Sequence, residues 1–225
     1  MIFNQDKSIV YEAASKITLL ALDVDGVLTD GRIYFSKAGE EIKTFHTLDG
    51  QGIKMLHACA IGVALITGRS STILEKRAAD LGIKTVIQGR EDKLTALSEI
   101  LEAQSLSIKQ VAYVGDDLPD LSAMRNVGVS FSVPNGHPEI RTASHAVTTA
   151  EGGLGAVREI TDFILKTKKN TILSTIEAKL AGDALVPETV AITVHIREKI
   201  HQSTQKIAFR SNFYCPLYTA LMVSS

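Results

Sequence analysis

Asp23 and Asp25 stand two apart in LALDVDGVLTDG. On an extended chain alternate side chains share a face, so the two carboxylates point the same way. Gly26 then lets the backbone turn close to a ligand. Carboxylates this near repel unless one is protonated or a cation sits between them. A magnesium ion suits the gap, since it takes oxygen ligands from one or two carboxylates, phosphate and water. The same pair also fits two solvated acids in a loop. Thr67 and Gly68 follow the apolar run VALI, and a helix is expected to begin near Ser70. A hydroxyl and a glycine at a helix N-terminus suit a phosphate, and Ser70 suits an N-cap at the same time. Lys93 begins another expected helix, either as a counter-charge for phosphate or as an ordinary surface lysine. Asp116, Asp117 and Asp120 follow Gly115 in VAYVGDDLPDLSAM. Asp116 and Asp120 would face one another across one helical turn. Such a group needs a cation or a lysine beside it, or else is a capping cluster in an acidic loop.

These residues need elements that bring them together, and the chain alternates strand and helix signals from Lys16 onward. Ile17–Leu22 is a short continuous apolar run, the mark of a strand buried on both faces. Core strands are also expected at 62–66, 85–88, 110–114 and 128–133, with a further short one at 146–148. Helices are expected at 48–59, 70–81 with Gly82 as its cap, 92–104, after Pro119, and 154–166. The fold class that follows is α/β, a Rossmann-like parallel sheet with helices on both faces. In such sheets ligands bind beyond the carboxyl ends of the strands, where the Asp, Thr and acidic clusters all fall. Residues 31–46 differ. Two alternating stretches around Lys37-Ala38-Gly39-Glu40 read as a β-hairpin. After Asn170 the pattern weakens. A helix at 172–180, a β-rich run at 189–196 and the apolar end FYCPLYTALMVSS have no assigned role. The organisation expected is an N-terminal segment (1–15), a catalytic domain (16–170) and an extension (171–225).

Composition narrows the function. With 24 basic and 25 acidic residues the net charge is −1, which argues against a nucleic-acid partner. Hydrophobic residues make up 45% of the chain, ordinary for a globular core. No apolar run reaches the roughly 18–20 residues that span a bilayer, and residues 1–16 lack the apolar centre of a signal peptide. A cytoplasmic enzyme without a membrane partner is the expectation. Cys59 and Cys215 have no metal-binding spacing and read as inert thiols.

The order of these clusters resembles the four motifs of the haloacid-dehalogenase phosphatase superfamily. DVDGVLTDG, GEEIKTFHTLDGQGIK, ITGR, GDDLPD and EGGLGAVRE resemble one branch in particular, the phosphatases of 3-deoxy-D-manno-octulosonate 8-phosphate. The resemblance covers about residues 16–168. It implies a small hairpin in place of a cap domain, Asp23 as nucleophile and Asp25 as general acid and base. Thr67 and Lys93 would bind the phosphoryl group. Asp23, Asp25 through its backbone carbonyl, and Asp116 would hold Mg2+, supported by Asp117 and Asp120. Contacts to the sugar acid would come from Asp25, His46, Thr47, Leu48, Asp49, Gly50, Lys54, Gly68, Arg69, Arg77 and Lys93. Lys54 stands where relatives can carry arginine. The branch also implies a homotetramer closed by the hairpins, a mobile loop at 151–155 and a place in lipopolysaccharide precursor synthesis. A related nine-carbon sugar acid phosphatase and a generalist phosphatase keep the same catalytic set. Against a non-enzymatic oligomerisation module stands the full complement of carboxylates.

Overall fold

The computed structural model describes residues 1–37 and 39–180. In chain order the elements are β1 (Ile2–Phe3), α1 (Lys7–Ser15), β2 (Leu19–Leu22), β3 (Tyr34–Ser36), β4 (Gly39–Ile42), α2 (Thr47–Ala58), β5 (Gly62–Ile66), α3 (Thr72–Leu81), β6 (Thr85–Ile87), α4 (Lys93–Gln104), β7 (Val111–Val114), α5 (Leu121–Asn126), β8 (Val129–Ser132), α6 (Pro138–Ala143), β9 (Ala146–Val147) and α7 (Ala156–Leu180).

The strands form a seven-stranded sheet in the order β1-β9-β8-β7-β2-β5-β6, and β3-β4 form a separate hairpin. β2 lies between β5 and β7, parallel to both, with Leu19–Leu22 opposite Gly62–Leu65 on one side and Val111–Val114 on the other. Every residue of β2 is buried, as a continuous apolar run on a central parallel strand should be. Alternate residues feed opposite faces. Leu20 and Leu22 join Val10 and Ala14 of α1, Ile53 and Leu56 of α2, Leu74 and Ala78 of α3, and Val157, Ile160 and Ile164 of α7. Leu19 and Ala21 join Ala96, Leu97 and Ile100 of α4, Ala123 and Met124 of α5, and Ile140 of α6. This is the helix-on-both-faces architecture expected, with one correction. The edge strand β1 runs antiparallel to β9, Ile2 opposite Val147, so the sheet is mixed.

Residues 1–15, expected only as a leading segment, therefore contribute a strand and a helix to the core. Asp6 caps α1 by accepting from the Ser8 N–H at 2.7 Å. The short helix α6 was likewise not read; Pro at its first turn and His137 accepting from the Glu139 N–H define it. The closing helix is longer than expected. α7 runs unbroken through position 170 to Leu180, taking in the helix expected at 172–180. The run at 189–196 and the apolar end lie outside the described residues.

The hairpin is shorter on its return limb than the alternation suggested, ending at Ile42. Ile33, Tyr34, Phe35 and Ile42 are exposed, Phe35 by 68%. Phe45 is not part of that patch. It packs on the core with the Arg77 guanidinium 5.5 Å from its ring centre.

Candidate active site

Three neighbouring strands end in the residues that matter. Asp23 directly follows β2, and its N–H bonds the Val114 carbonyl at 2.9 Å, which ties the first loop to the end of β7. Lys93 opens α4. Asp120 lies one turn beyond β7, and Thr67 directly follows β5. Asp23, Thr67, Lys93 and Asp120 are all buried. Burial of so many charged groups requires internal partners, and the geometry supplies them. Lys93 Nζ lies 2.9 Å from Asp23 Oδ1 and 2.7 Å from Asp120 Oδ1. The same Asp120 oxygen accepts from the Tyr113 hydroxyl at 2.9 Å, and Asp120 Oδ2 accepts the backbone N–H groups of Asp116 (3.1 Å) and Asp117 (3.3 Å). Asp120 is thus the strut of the loop and the holder of Lys93. Asp117 is exposed and caps the turn after it through the Leu118 N–H at 2.8 Å, the local role open to it in the sequence.

Asp23, Asp116 and Asp120 each place a carboxylate oxygen within 4.8 Å of the others. Three carboxylates against one lysine leave a formal excess of two negative charges. Burial, and then the Asp120 charge, push Asp23 well above the usual carboxylate range against the pull of Lys93. The same two causes raise Asp116 to about 6. Burial alone would depress Lys93, but Asp23 and Asp120 outweigh it and raise its affinity for a proton. Asp116 Oδ1 is buried without a hydrogen-bond partner. An all-oxygen donor set, a surplus of two charges and an unsatisfied inward oxygen fit a hard divalent cation. They do not suit zinc, which favours His and Cys.

Asp25 is placed otherwise. Its side chain does not join the carboxylate cluster; it ion-pairs with Lys43 through Oδ1, and Arg69 Nε lies 3.9 Å from Oδ2. Its share in metal binding is therefore left to the backbone carbonyl. Gly26 adopts φ +96°, and a Cβ there would overlap the Asp116 carboxylate, so glycine is required on both counts. Thr29 braces the turn, its Oγ1 accepting from the N–H groups of Gly26 and Gly31 at 3.3 Å each. Thr67 Oγ1 accepts from the Arg69 N–H at 3.3 Å, and the Thr67 carbonyl accepts from the Arg90 N–H at 3.1 Å. Those bonds fasten the end of β5 to the loop that delivers Lys93.

The residues expected around the sugar divide. Gly68 adjoins Thr67, with the Glu91 carboxylate packed over it. Arg69 stands beside Asp25, its guanidinium 5.7 Å from the Phe35 ring centre. His46 caps α2 by accepting from the Leu48 N–H at 3.2 Å, while Thr47, Leu48 and Lys54 are exposed. Asp49 is a correction. It is 1% exposed and accepts the Arg158 N–H at 2.7 Å, so it caps the start of α7 and is turned away from solvent. Gly50 makes room for the Arg77 guanidinium, which donates to the His46 carbonyl at 3.4 Å. In this conformation Arg77 braces the chain entering α2. The glycine-rich segment 151–155 is seated on the first loop: the Gly153 N–H bonds the Val27 carbonyl at 3.0 Å, and side chains at Gly152 or Gly153 would overlap Gly26 and Thr29.

Two participants escaped sequence reasoning. Tyr113 is the one polar tip in the core strand VAYV, a signal that was available. Lys43 follows the hairpin strand β4, and nothing in its spacing sets it apart.

Known proteins with this arrangement are close at hand. A model of haloacid dehalogenase-like hydrolases matches residues 85–160. The 3-deoxy-D-manno-octulosonate 8-phosphate phosphatase of Yersinia pestis is 48% identical over 156 residues, 69% of this chain and 83% of that protein. The crystal structure of the Moraxella catarrhalis phosphatase of the same name, in complex with magnesium, phosphate and KDO, superposes with a TM-score of 0.71 at 44% identity, covering 76% of this chain and 99% of that one. The cobalt-bound Haemophilus influenzae phosphatase gives 0.68 at 41%, covering 75% and 99%.

Proposed function

The chain belongs to the 3-deoxy-D-manno-octulosonate 8-phosphate phosphatases, within the haloacid dehalogenase-like hydrolases, and from that membership we propose that it hydrolyses 3-deoxy-D-manno-octulosonate 8-phosphate to 3-deoxy-D-manno-octulosonate and phosphate. The observation that carries this reading is the buried Asp23–Lys93–Asp120 group beside Asp116, in a chain so similar to phosphatases of that one substrate.

Asp23 attacks phosphorus. Its new bond to phosphorus forms as the bond to the sugar oxygen breaks, giving an aspartyl-phosphate. Asp25 gives a proton to the departing sugar oxygen, then takes one from the water that splits the aspartyl-phosphate. Lys93 and Thr67 hold phosphoryl oxygens, and Asp120 keeps Lys93 aimed at Asp23. Asp23, Asp116 and the Asp25 carbonyl would hold magnesium, whose charge would let a carboxylate approach a phosphate dianion. Gly68 and Arg69 border the phosphate on the sugar side. His46, Thr47, Leu48, Gly50, Lys54 and Arg77 contribute from the hairpin exit and α2; Arg77 would have to exchange its bond to the His46 carbonyl for the sugar carboxylate, an anion that Arg pairs with well.

A phosphate-release screen over sugar phosphates tests this. The eight-carbon acid phosphate should exceed glucose 6-phosphate in kcat/KM by at least tenfold, and activity should vanish with EDTA and return with magnesium. Equal turnover of glucose 6-phosphate, or full activity after exhaustive chelation, would refute the reading.

No described helix is long and apolar enough to cross a membrane, and the cytoplasm, in lipopolysaccharide precursor synthesis, is where we place the reaction. We also infer a homotetramer. Ile33, Tyr34, Phe35 and Ile42 form an exposed apolar patch on a two-stranded hairpin. Such a patch marks an interface, and an isolated hairpin is marginal in water. Light scattering should give four copies for the full chain and a smaller species for Phe35→Ser/Ile42→Ser. A monomeric unmodified chain would remove the hairpin interface.

A further inference from the structure

Lys43 lies one residue past β4, between two exposed neighbours, Ile42 and Thr44. Its own side chain is only 6% exposed. A lysine is almost never buried without a partner, and here the partner is Asp25 Oδ1. The other Asp25 oxygen is different. Oδ2 is buried and has no hydrogen-bond partner; Arg69 Nε, at 3.9 Å, is beyond hydrogen-bond reach. A buried carboxylate oxygen left unsatisfied is unusual enough to need a reason. The hairpin thus occupies one oxygen of the residue read as the general acid and leaves the second open.

We propose that Lys43 is a positioning residue for the phosphatase reaction: by holding Oδ1 it fixes the Asp25 carboxyl group so that Oδ2 is the atom that delivers and recovers the proton. A carboxylic acid protonated on Oδ2 still accepts from an ammonium at Oδ1, so the pairing persists through both half-reactions. In the first, the Oδ2 proton moves to the sugar oxygen as its bond to phosphorus breaks. In the second, Oδ2 takes the proton of the water that displaces Asp23 from phosphorus. Because Lys43 sits at the root of the hairpin, the position of that element sets the aim of Asp25. The proposal rests on the acid role given to Asp25.

Leaving groups separate the two ideas. The sugar alkoxide needs a proton to depart, whereas nitrophenolate does not. Wild type, Lys43→Met, Lys43→Arg and Asp25→Asn are compared on 3-deoxy-D-manno-octulosonate 8-phosphate and on 4-nitrophenyl phosphate. Misaiming a proton donor forfeits part of the roughly 10²–10⁴-fold that general acid catalysis provides. In single-turnover measurements of leaving-group release, Lys43→Met should therefore lose about 10–100-fold on the sugar phosphate and a tenfold or more smaller factor on the aryl phosphate, with little change in KM, while hydrolysis of the aspartyl-phosphate, common to both substrates, slows equally. Lys43→Arg should recover most of the loss. If Lys43→Met does not fold by thermal melting, Lys43→Gln takes its place. Asp25→Asn should show the same dependence on leaving group, more strongly. If it does and the Lys43 variants lose equally on both substrates, the positioning role falls alone. If Asp25→Asn itself shows no such dependence, the acid role falls and takes the proposal with it.

Discussion

Asp23→Asn should leave the chain folded and lower phosphate release by about 10⁴-fold or more, the scale on which removal of a nucleophile is felt. The amide keeps the shape of the carboxylate, and its oxygen can still accept from Lys93, which lies 2.9 Å from Asp23 Oδ1. What it loses is the ability to form the aspartyl-phosphate, so the loss falls on kcat. Stability should hold or rise. Burial and the Asp120 charge both penalise an ionised Asp23, and a neutral side chain removes that penalty. Phosphate release and thermal melting measured on the same preparation decide the matter, with mass spectrometry to exclude Asn reverting to Asp by deamidation. A variant with turnover within tenfold of the parent would remove Asp23 as nucleophile.

Lys93→Met should act on both rate and stability. The ammonium lies between Asp23 and Asp120, and its side chain is 5% exposed. Losing one preorganised donor to the phosphoryl oxygens lowers kcat by roughly 10²–10³-fold. Breaking a buried charge pair by deleting one partner costs about 3–5 kcal/mol, because Asp23, Asp116 and Asp120 are then left without a counter-charge. Magnesium should return part of that stability, since a cation that binds only the folded chain stabilises it by mass action. Urea unfolding with and without magnesium, beside phosphate release, provides the check. An unchanged rate would place Lys93 outside the phosphoryl site, and a variant as stable as the parent without metal would mean that the carboxylates do not depend on it.

The placing of the candidate site was largely legible in the sequence because it falls at strand ends. A parallel sheet puts every strand's carboxyl end on one edge, so Asp23, Thr67 and Asp116 could be gathered from the apolar runs before them. Lys93 could be added only through the family resemblance, because a lone lysine at the start of a helix is otherwise unremarkable. What was not legible depends on side-chain direction. Asp49 has the composition of a ligand contact, but its position on α2 points it at the start of α7. Arg77 looked free for a carboxylate and is found against Phe45 and the His46 carbonyl. Lys43 carries no signal in the hairpin sequence, yet its side chain is turned inward. The elements at the start of the chain were missed for another reason. β1 has two residues, too few for any period to show, and α1 fully buries only Val10 and Ala14, too narrow a seam to mark a helical face.

That first strand has a consequence for how the chain comes to be made. Among the described residues, Ile2 and Phe3 pair with Val147 and Ala146 alone, nearly the whole length of the domain later. At roughly 5–20 residues per second, about 7–30 seconds of synthesis separate the two partners. For most of that interval the loop after β2 can dock on neither β7 nor the acidic turn beyond it, because both are still to be synthesised. Ile2 and Phe3 must wait unpaired until then. The sheet is closed at that edge by a segment made long before its partner, so that closure is among the last to occur.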